Sequence, residues 1–341
     1  MSQVSRRTLV RGAVVGATAL AAGPALNIGQ ASAAAFVKGA DISWLPQMEA
    51  GGYTFRNSSG TQQDLFTILK GYGITAVRLR TFVSPSSDPS NGHCSIDETA
   101  ALAKRAKAAG MQVMIDYHFG DTWNSVGVQN PPAAWASMSY AQMLDAMYDY
   151  VFHTMNVVKA NGVTPVWVQI GNEINTGICR PTGALAYHPD QMTGLLNAAH
   201  DMVKTVFPSA SVLIHLAQPQ KYDAIKAFLD AYVAHGGKWD ITAFSSYGSA
   251  SAAPGIVGNM NSARQTYGKP VMQVEFGGRV DRPDATRAAL EAYITNLKSI
   301  GGLGLFYWEP EGYSPFTSYN MGAWDASTRR PTTVMNGFLN A

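Results

Sequence analysis

Eight short runs rich in β-branched and aromatic residues recur along the chain, at 37–44, 75–82, 111–118, 165–171, 211–216, 240–247, 270–276 and 303–308. Most are separated by stretches long enough for a helix. Strands alternating with helices imply a parallel sheet, because a parallel return needs a crossover. Eight such units in 341 residues favour a single closed (β/α)8 barrel, the TIM barrel, over an open doubly wound sheet. One crossover reads directly: 97–109 starts after Ser95, stops at Gly110, and puts its Ala/Leu and Lys/Arg residues on different faces. Helical patterns also fit 139–160, 189–206, 222–235 and 284–299. No long linker, charge block or low-complexity tract divides residues 34–341, so one domain is expected.

Residues 1–33 have a different character. Ser5-Arg6-Arg7-Thr8-Leu9-Val10-Arg11 opens a Gly/Ala-rich apolar stretch that ends in Ala31-Ser32-Ala33, a small-x-small cleavage site. Charged start, apolar middle and small-residue end, in that order, read as an export signal of the twin-arginine type. Secretion is therefore expected, with the signal removed. Removing it takes away Arg6, Arg7 and Arg11 and no acid, which turns the formal charge from +2 to −1. Such a chain carries no basic stripe for a nucleic acid. No later apolar run approaches the roughly 20 residues of a membrane span. In an oxidising compartment, Cys94 and Cys179 are free to form one bridge across two mouth-side loops or to remain two buried thiols.

A barrel of this type carries its chemistry at the C-terminal ends of the strands. Those ends supply Asp41 and Trp44, Arg78 and Arg80, Asp116 and His118, Asn172 and Glu173, His215, Tyr247, Glu275, and Trp308 with Glu309. Glu173 and Glu275 close the fourth and seventh runs. Two carboxyls facing each other across a barrel mouth suit glycoside hydrolysis, one giving a proton to the leaving oxygen and the other attacking the anomeric carbon. Arg78 or Arg80, with Tyr247, can hold Glu275 ionised, and that anion can push Glu173 up. Of the two arginines, Arg78 is expected to touch Glu275 and Arg80 to be structural. Asn172 can hydrogen-bond a sugar 2-hydroxyl. Trp44, Trp123, Trp135, Trp308 and Tyr247 offer flat faces for a pyranose. Against these readings, the glutamates can simply pair with the arginines, His118 and His215 can be core histidines, Trp135 can pin a loop, and Trp239 reads as core.

The strand-four Asn172-Glu173, the strand-seven Glu275, His118 and Trp308 resemble the clan of retaining (β/α)8 glycosidases. More narrowly, the chain resembles the endo-β-1,4-galactanases of glycoside hydrolase family 53. The carrying segments include Gly39-Ala40-Asp41-Ile42-Ser43-Trp44, Val77-Arg78-Leu79-Arg80, Ile115-Asp116-Tyr117-His118-Phe119, Asp121-Thr122-Trp123, Gly171-Asn172-Glu173-Ile174, Ile214-His215-Leu216 and Phe306-Tyr307-Trp308-Glu309-Pro310. The resemblance implies Glu173 as acid/base, Glu275 as nucleophile, and a plant cell-wall β-1,4-galactan or arabinogalactan as substrate. The departures fall where substrate would lie: Ala217-Gln218-Pro219, Gly248, Phe276-Gly277-Gly278 and Asn124-Ser125. They leave open another β-glycan, a mannan or a glucan, and a barrel that binds polysaccharide without cutting it.

No cofactor is expected, since no G-x-G-x-x-G or G-x-x-x-x-G-K-[ST] sits at a strand-to-helix turn. No metal is expected either. H-E-x-x-H and EF-hand patterns are missing, and His153, His188, His200 and His235 are scattered. The resemblance brings with it a Ca²⁺ held after the last strands in some bacterial relatives, but residues 311–324 are a short stretch with few acids. A monomer is expected.

Overall fold

Inward-facing residues of the strands build a closed ring whose polar members gather at one end. A computed structural model of the chain describes residues 35–86 and 93–341; the export signal read at 1–33 lies outside them. The strands are β1 (Val37–Asp41), β2 (Ala76–Thr81), β3 (Gln112–Tyr117), β4 (Trp167–Ile170), β5 (Ser211–Ala217), β6 (Ile241–Ser245), β7 (Val271–Glu275) and β8 (Gly304–Trp308). All pair in parallel, and the ring closes β1 on β8. Helices follow in turn: α1 (Leu65–Gly71), α2 (Ile96–Ala108), α3 (Tyr140–Ala160), α4 (Pro189–Val206), α5 (Tyr222–Ala234), α6 (Ala253–Tyr267), α7 (Pro283–Ser299) and, after β8, α8 (Gly337–Asn340). Residues 35–341 form one compact unit.

Local chemistry explains the helix starts. Ser95 caps α2, its hydroxyl accepting from the Glu98 N–H, and Asp97 and Glu98 sit in the first turn where the helix dipole favours acids. Ser139 and Gln142 form a reciprocal capping box at α3. Three of these helices escape the sequence patterns. α1 is only seven residues long and α8 only four, and α6 carries Gly255 and Gly258, which depress helix propensity.

The lower barrel interior is apolar, filled by Ala76, Met114, Trp167, Leu213, Ile241, Ala243, Met272, Val274 and Phe306. Two residues further along the same inward faces, the strands carry Arg78, Asp116, Gln169, His215 and Ser245. The period-2 alternation thus lifts a polar layer directly onto an apolar one. β7 breaks the rule. Phe244 pairs with Gln273 but Ser245 pairs with Glu275, so one residue is skipped, and Val274 and Glu275 both belong to the interior. A bulge of this kind re-aims a side chain. Gln273 secures it, its amide donating to the Ser246 and Glu275 carbonyls at 3.0 and 3.1 Å. Among the described residues no helix is long and apolar enough to cross a membrane.

Candidate active site

Arg78 organises the mouth. Its Nη1 lies 2.7 Å from Asp41 Oδ2 and 3.0 Å from Glu275 Oε1, while Nη2 lies 2.9 Å from Asp116 Oδ2 and donates to Asn172 Oδ1 at 2.8 Å. Its Nε donates to Gln169 Oε1 at 3.1 Å. One buried guanidinium therefore serves three carboxylates. Burial opposes the charge of Arg78, but Asp116, Glu275 and Asp41 outweigh it and keep Arg78 protonated. Burial likewise works to raise Asp116, yet Arg78 and His118 hold that carboxyl at about 2.

Gln169, which sequence reasoning passed over, ties the layer together. Its amide nitrogen donates to Asp116 Oδ1 at 2.5 Å and the Gly171 carbonyl at 3.1 Å, and lies 3.2 Å from His215 Nδ1. The signal was available: a glutamine at an inward position of a β-run must find partners inside the barrel. His118 Nδ1 accepts from the Asn124 N–H at 3.1 Å, which leaves Nε2 to face Asp116 Oδ2 at 3.3 Å. His215 is fully buried, and burial followed by Arg78 drives its protonation well below the usual range, so it is a neutral imidazole. Both histidines belong to the polar layer rather than to an apolar core. Asn172 Oδ1 accepts from Arg78 at 2.8 Å and lies 2.9 Å from His215 Nδ1, and the amide donates one hydrogen to the Asn124 carbonyl. A second amide hydrogen remains for a ligand hydroxyl.

The two glutamates are held differently. Glu173 is half-buried on left-handed backbone, φ 49°, and its Oε1 accepts from the Ser245 hydroxyl at 2.6 Å. Glu275 is almost fully buried, with Oε1 on Arg78 and Oε2 accepting from the Tyr247 hydroxyl at 2.9 Å. Arg78, not Arg80, touches it. Burial pushes the Glu275 carboxyl up to about 8; Arg78 and the Tyr247 hydroxyl pull it down, and Glu173 and Asp116 push it further up. A guanidinium divided among three carboxylates does not offset that burial.

Arg80 is structural. It pairs with Glu309 and stacks over Trp123 at 4.3 Å and Trp44 at 5.6 Å. Glu309 also accepts from the Trp44 backbone N–H at 3.1 Å, which anchors the chain from which the indole projects. Glu311 is fully buried beside it, its carboxyl raised by burial and then by Glu309. Trp44 packs edge-on to Trp308 at 5.1 Å and to Trp123 at 6.4 Å, and these three indoles form the aromatic wall. Trp135 is buried against Tyr150 and pins its loop, and Trp239 is core.

Of the two readings open for the cysteines, the structure has the two buried thiols. Cys94 Sγ lies against the Ser43 carbonyl and Cys179 Sγ against the Phe119 carbonyl, and both are free, buried thiols. The two are held under different loops, and burial pushes each thiol up to about 12. Among the described residues no group of three His, Cys, Asp or Glu is placed to hold a metal.

The model of glycosyl hydrolase family 53 matches residues 37–336. The chain is 31% identical over 315 residues to a probable arabinogalactan endo-beta-1,4-galactanase A of Aspergillus fumigatus, covering 82% of this chain and 85% of that protein. It is 28% identical to an endo-beta-1,4-galactanase of Bacillus subtilis, covering 81% and 70%. Among solved structures, the family 53 catalytic domain of Ignisphaera aggregans superposes with a TM-score of 0.79 at 27% identity, covering 89% of this chain and 95% of that one.

Proposed function

The chain belongs to glycosyl hydrolase family 53 and is a glycoside hydrolase, and on that premise we propose that it is a secreted, retaining endo-β-1,4-galactanase acting on galactan side chains of pectin. The observation that carries the reading is the unequal anchoring of the glutamates. Glu275 has a guanidinium and a phenol on its two oxygens, the partners an attacking carboxylate needs. Glu173, held by one hydroxyl and more open, is placed to exchange protons with substrate and water.

The reaction runs in two steps. A Glu275 oxygen forms a bond to the anomeric carbon as the glycosidic C–O bond breaks, and the leaving oxygen keeps the electron pair and takes the Glu173 proton. Glu173, now a carboxylate, removes a proton from water, whose oxygen replaces Glu275 at the same carbon. In the empty site, burial raises the Glu275 carboxyl and favours its protonated form. In the productive complex that proton belongs on Glu173, with Arg78 and Tyr247 stabilising the Glu275 anion.

The test is a product profile on linear galactan, mannan and β-glucan. Short galacto-oligosaccharides support the reading, and products from mannan or glucan alone move the chain to another specificity. Tight binding with no turnover on any of them indicates a non-catalytic barrel. Export rests on the Arg6-Arg7 segment. A processed N-terminus near Ala34 in the medium supports it, and an intact Met1 chain in the cytoplasm contradicts it.

A further inference from the structure

The turn after β8 carries a carboxyl that the reaction does not use. Glu311 is fully buried, and neither of its oxygens accepts a hydrogen bond from another described residue. An ionised carboxylate there would have exchanged its water for its own backbone N–H. No cation is left for it. The buried charged side chains of the described residues are Arg78 and Arg80 against Asp41, Asp116, Glu275, Glu309 and Glu311, with His118 beside Asp116. Carboxyls therefore outnumber cations whatever the state of the histidine. The neutral acid is the form that fits, and its hydrogen has an acceptor at hand, because Glu311 is hydrogen-bonded to Glu309. Burial raises both carboxyls, Arg80 pulls Glu309 back, and Glu309 lifts Glu311 further. The bond between the two acids lowers Glu309 and raises Glu311, as a proton resting on Glu311 requires.

Glu309 passes this contact on to the mouth. Its Oε1 pairs with Arg80, whose guanidinium lies over the Trp123 ring at 4.3 Å, and its Oε2 holds the Trp44 backbone N–H at 3.1 Å. Trp44 is itself buried and backs Trp308 at 5.1 Å. Trp123 and Trp308 are the half-exposed indoles, so both stand on partners of one carboxylate. The main chain keeps that carboxylate in place. Glu309 has left-handed backbone, φ 45°, with its N–H on the Asp41 carbonyl at 3.0 Å. Beyond it, the Ala323 N–H donates to the Pro310 carbonyl at 2.6 Å, and a Cβ on Gly312 would come within 2.9 Å of the Trp44 ring. The groups that face the two acids are Asp41 of β1, Arg80 of β2, Cys94 before α2 and Tyr319 in the loop after β8. Burial keeps the last two neutral, so Arg80 is the one cation among them.

We propose that Glu311 is a positioning residue: as a neutral acid it donates to Glu309, and through Glu309 it keeps Arg80 against Trp123 and Trp44 behind Trp308. The kinetic arm of the test rests on the galactanase reading. Glu311→Leu keeps most of the bulk and removes the donor, and it raises KM for linear galactan about fivefold while kcat stays within about twofold. Glu311→Gln donates an amide hydrogen in place of the acid's and restores KM. The second arm follows the proton and needs no substrate. Folding raises the Glu311 carboxyl, so the folded chain keeps its proton where the unfolded chain ionises, above about pH 4.3. The wild type loses stability as pH rises from there toward the folded value, and Glu311→Gln does not. Urea unfolding between about pH 5 and 8 therefore shows the folding equilibrium of Glu311→Gln gaining on the wild type by about tenfold per pH unit. This arm decides the matter if Glu311→Leu does not fold. An unchanged galactan KM in Glu311→Leu, no recovery in Glu311→Gln, or a stability gap that is flat with pH or opens in favour of the wild type overturns the proposal. A wild type inert on galactan contradicts the galactanase reading instead and leaves the unfolding arm to decide this one.

Discussion

Arg78 and Glu275 meet at 3.0 Å, although the same guanidinium also holds Asp41 and Asp116. Glu275 thus shares its cation, and its charge state is set by how that share balances burial.

Arg78→Met leaves buried carboxylates without a counter-charge, which costs about 3–5 kcal/mol. The cost depends on pH. Asp116 has its folded value depressed to about 2, so its contribution is complete above the usual aspartate range and lost as pH falls through about 2. The variant lacks this contribution. Urea unfolding should therefore show the gap between wild type and Arg78→Met at its widest near neutrality and narrowing below about pH 4.

Two substitutions should move the acid limb of kcat/KM in opposite directions. Tyr247→Phe removes a donor that lowers the Glu275 carboxyl, so the limb moves to higher pH and kcat at neutrality falls about ten- to hundredfold. Glu173→Gln removes a charge that raises Glu275, so the limb moves to lower pH. It is read with an aryl galactoside whose phenol needs no proton to leave. Movement of both limbs the same way would contradict the account.

Cys94 and Cys179 should be silent to a thiol reagent in the native protein and count as two thiols in denaturant, with or without prior reduction. A mass two hydrogens lighter before reduction would show a bridge.

Much of this architecture was legible in the sequence because the barrel repeats one simple pattern, strand alternation followed by a helix. The inward pairs Arg78/Arg80 and Asp116/His118 follow from that alternation, as does the placing of functional groups at strand ends. Glu275 is different. Its inward aim depends on the skipped residue in β7, which alternation cannot foresee, and on Gln273 holding the bulge. The Arg80–Glu309 pair joins residues 229 apart in the chain, and only ring closure brings them together. Arg78 and Tyr247 were legible as partners of Glu275, and both touch it; the burial and the neighbouring carboxylates that work against them arise only in the packed interior. The bridge between Cys94 and Cys179 required a distance, and spacing along a chain carries none.

The central claim is the division of labour between Glu173 and Glu275, and azide tests it most directly. With Glu173→Ala and an aryl galactoside of an acidic phenol, the first step persists and the glycosyl ester accumulates for want of a base. Azide needs no base, so it should restore turnover and yield a galactosyl azide of retained β configuration, identified by NMR. With Glu275→Ala, azide should attack from the vacated side and yield the α product. The opposite assignment of β and α products to the two variants would contradict the roles given to these residues.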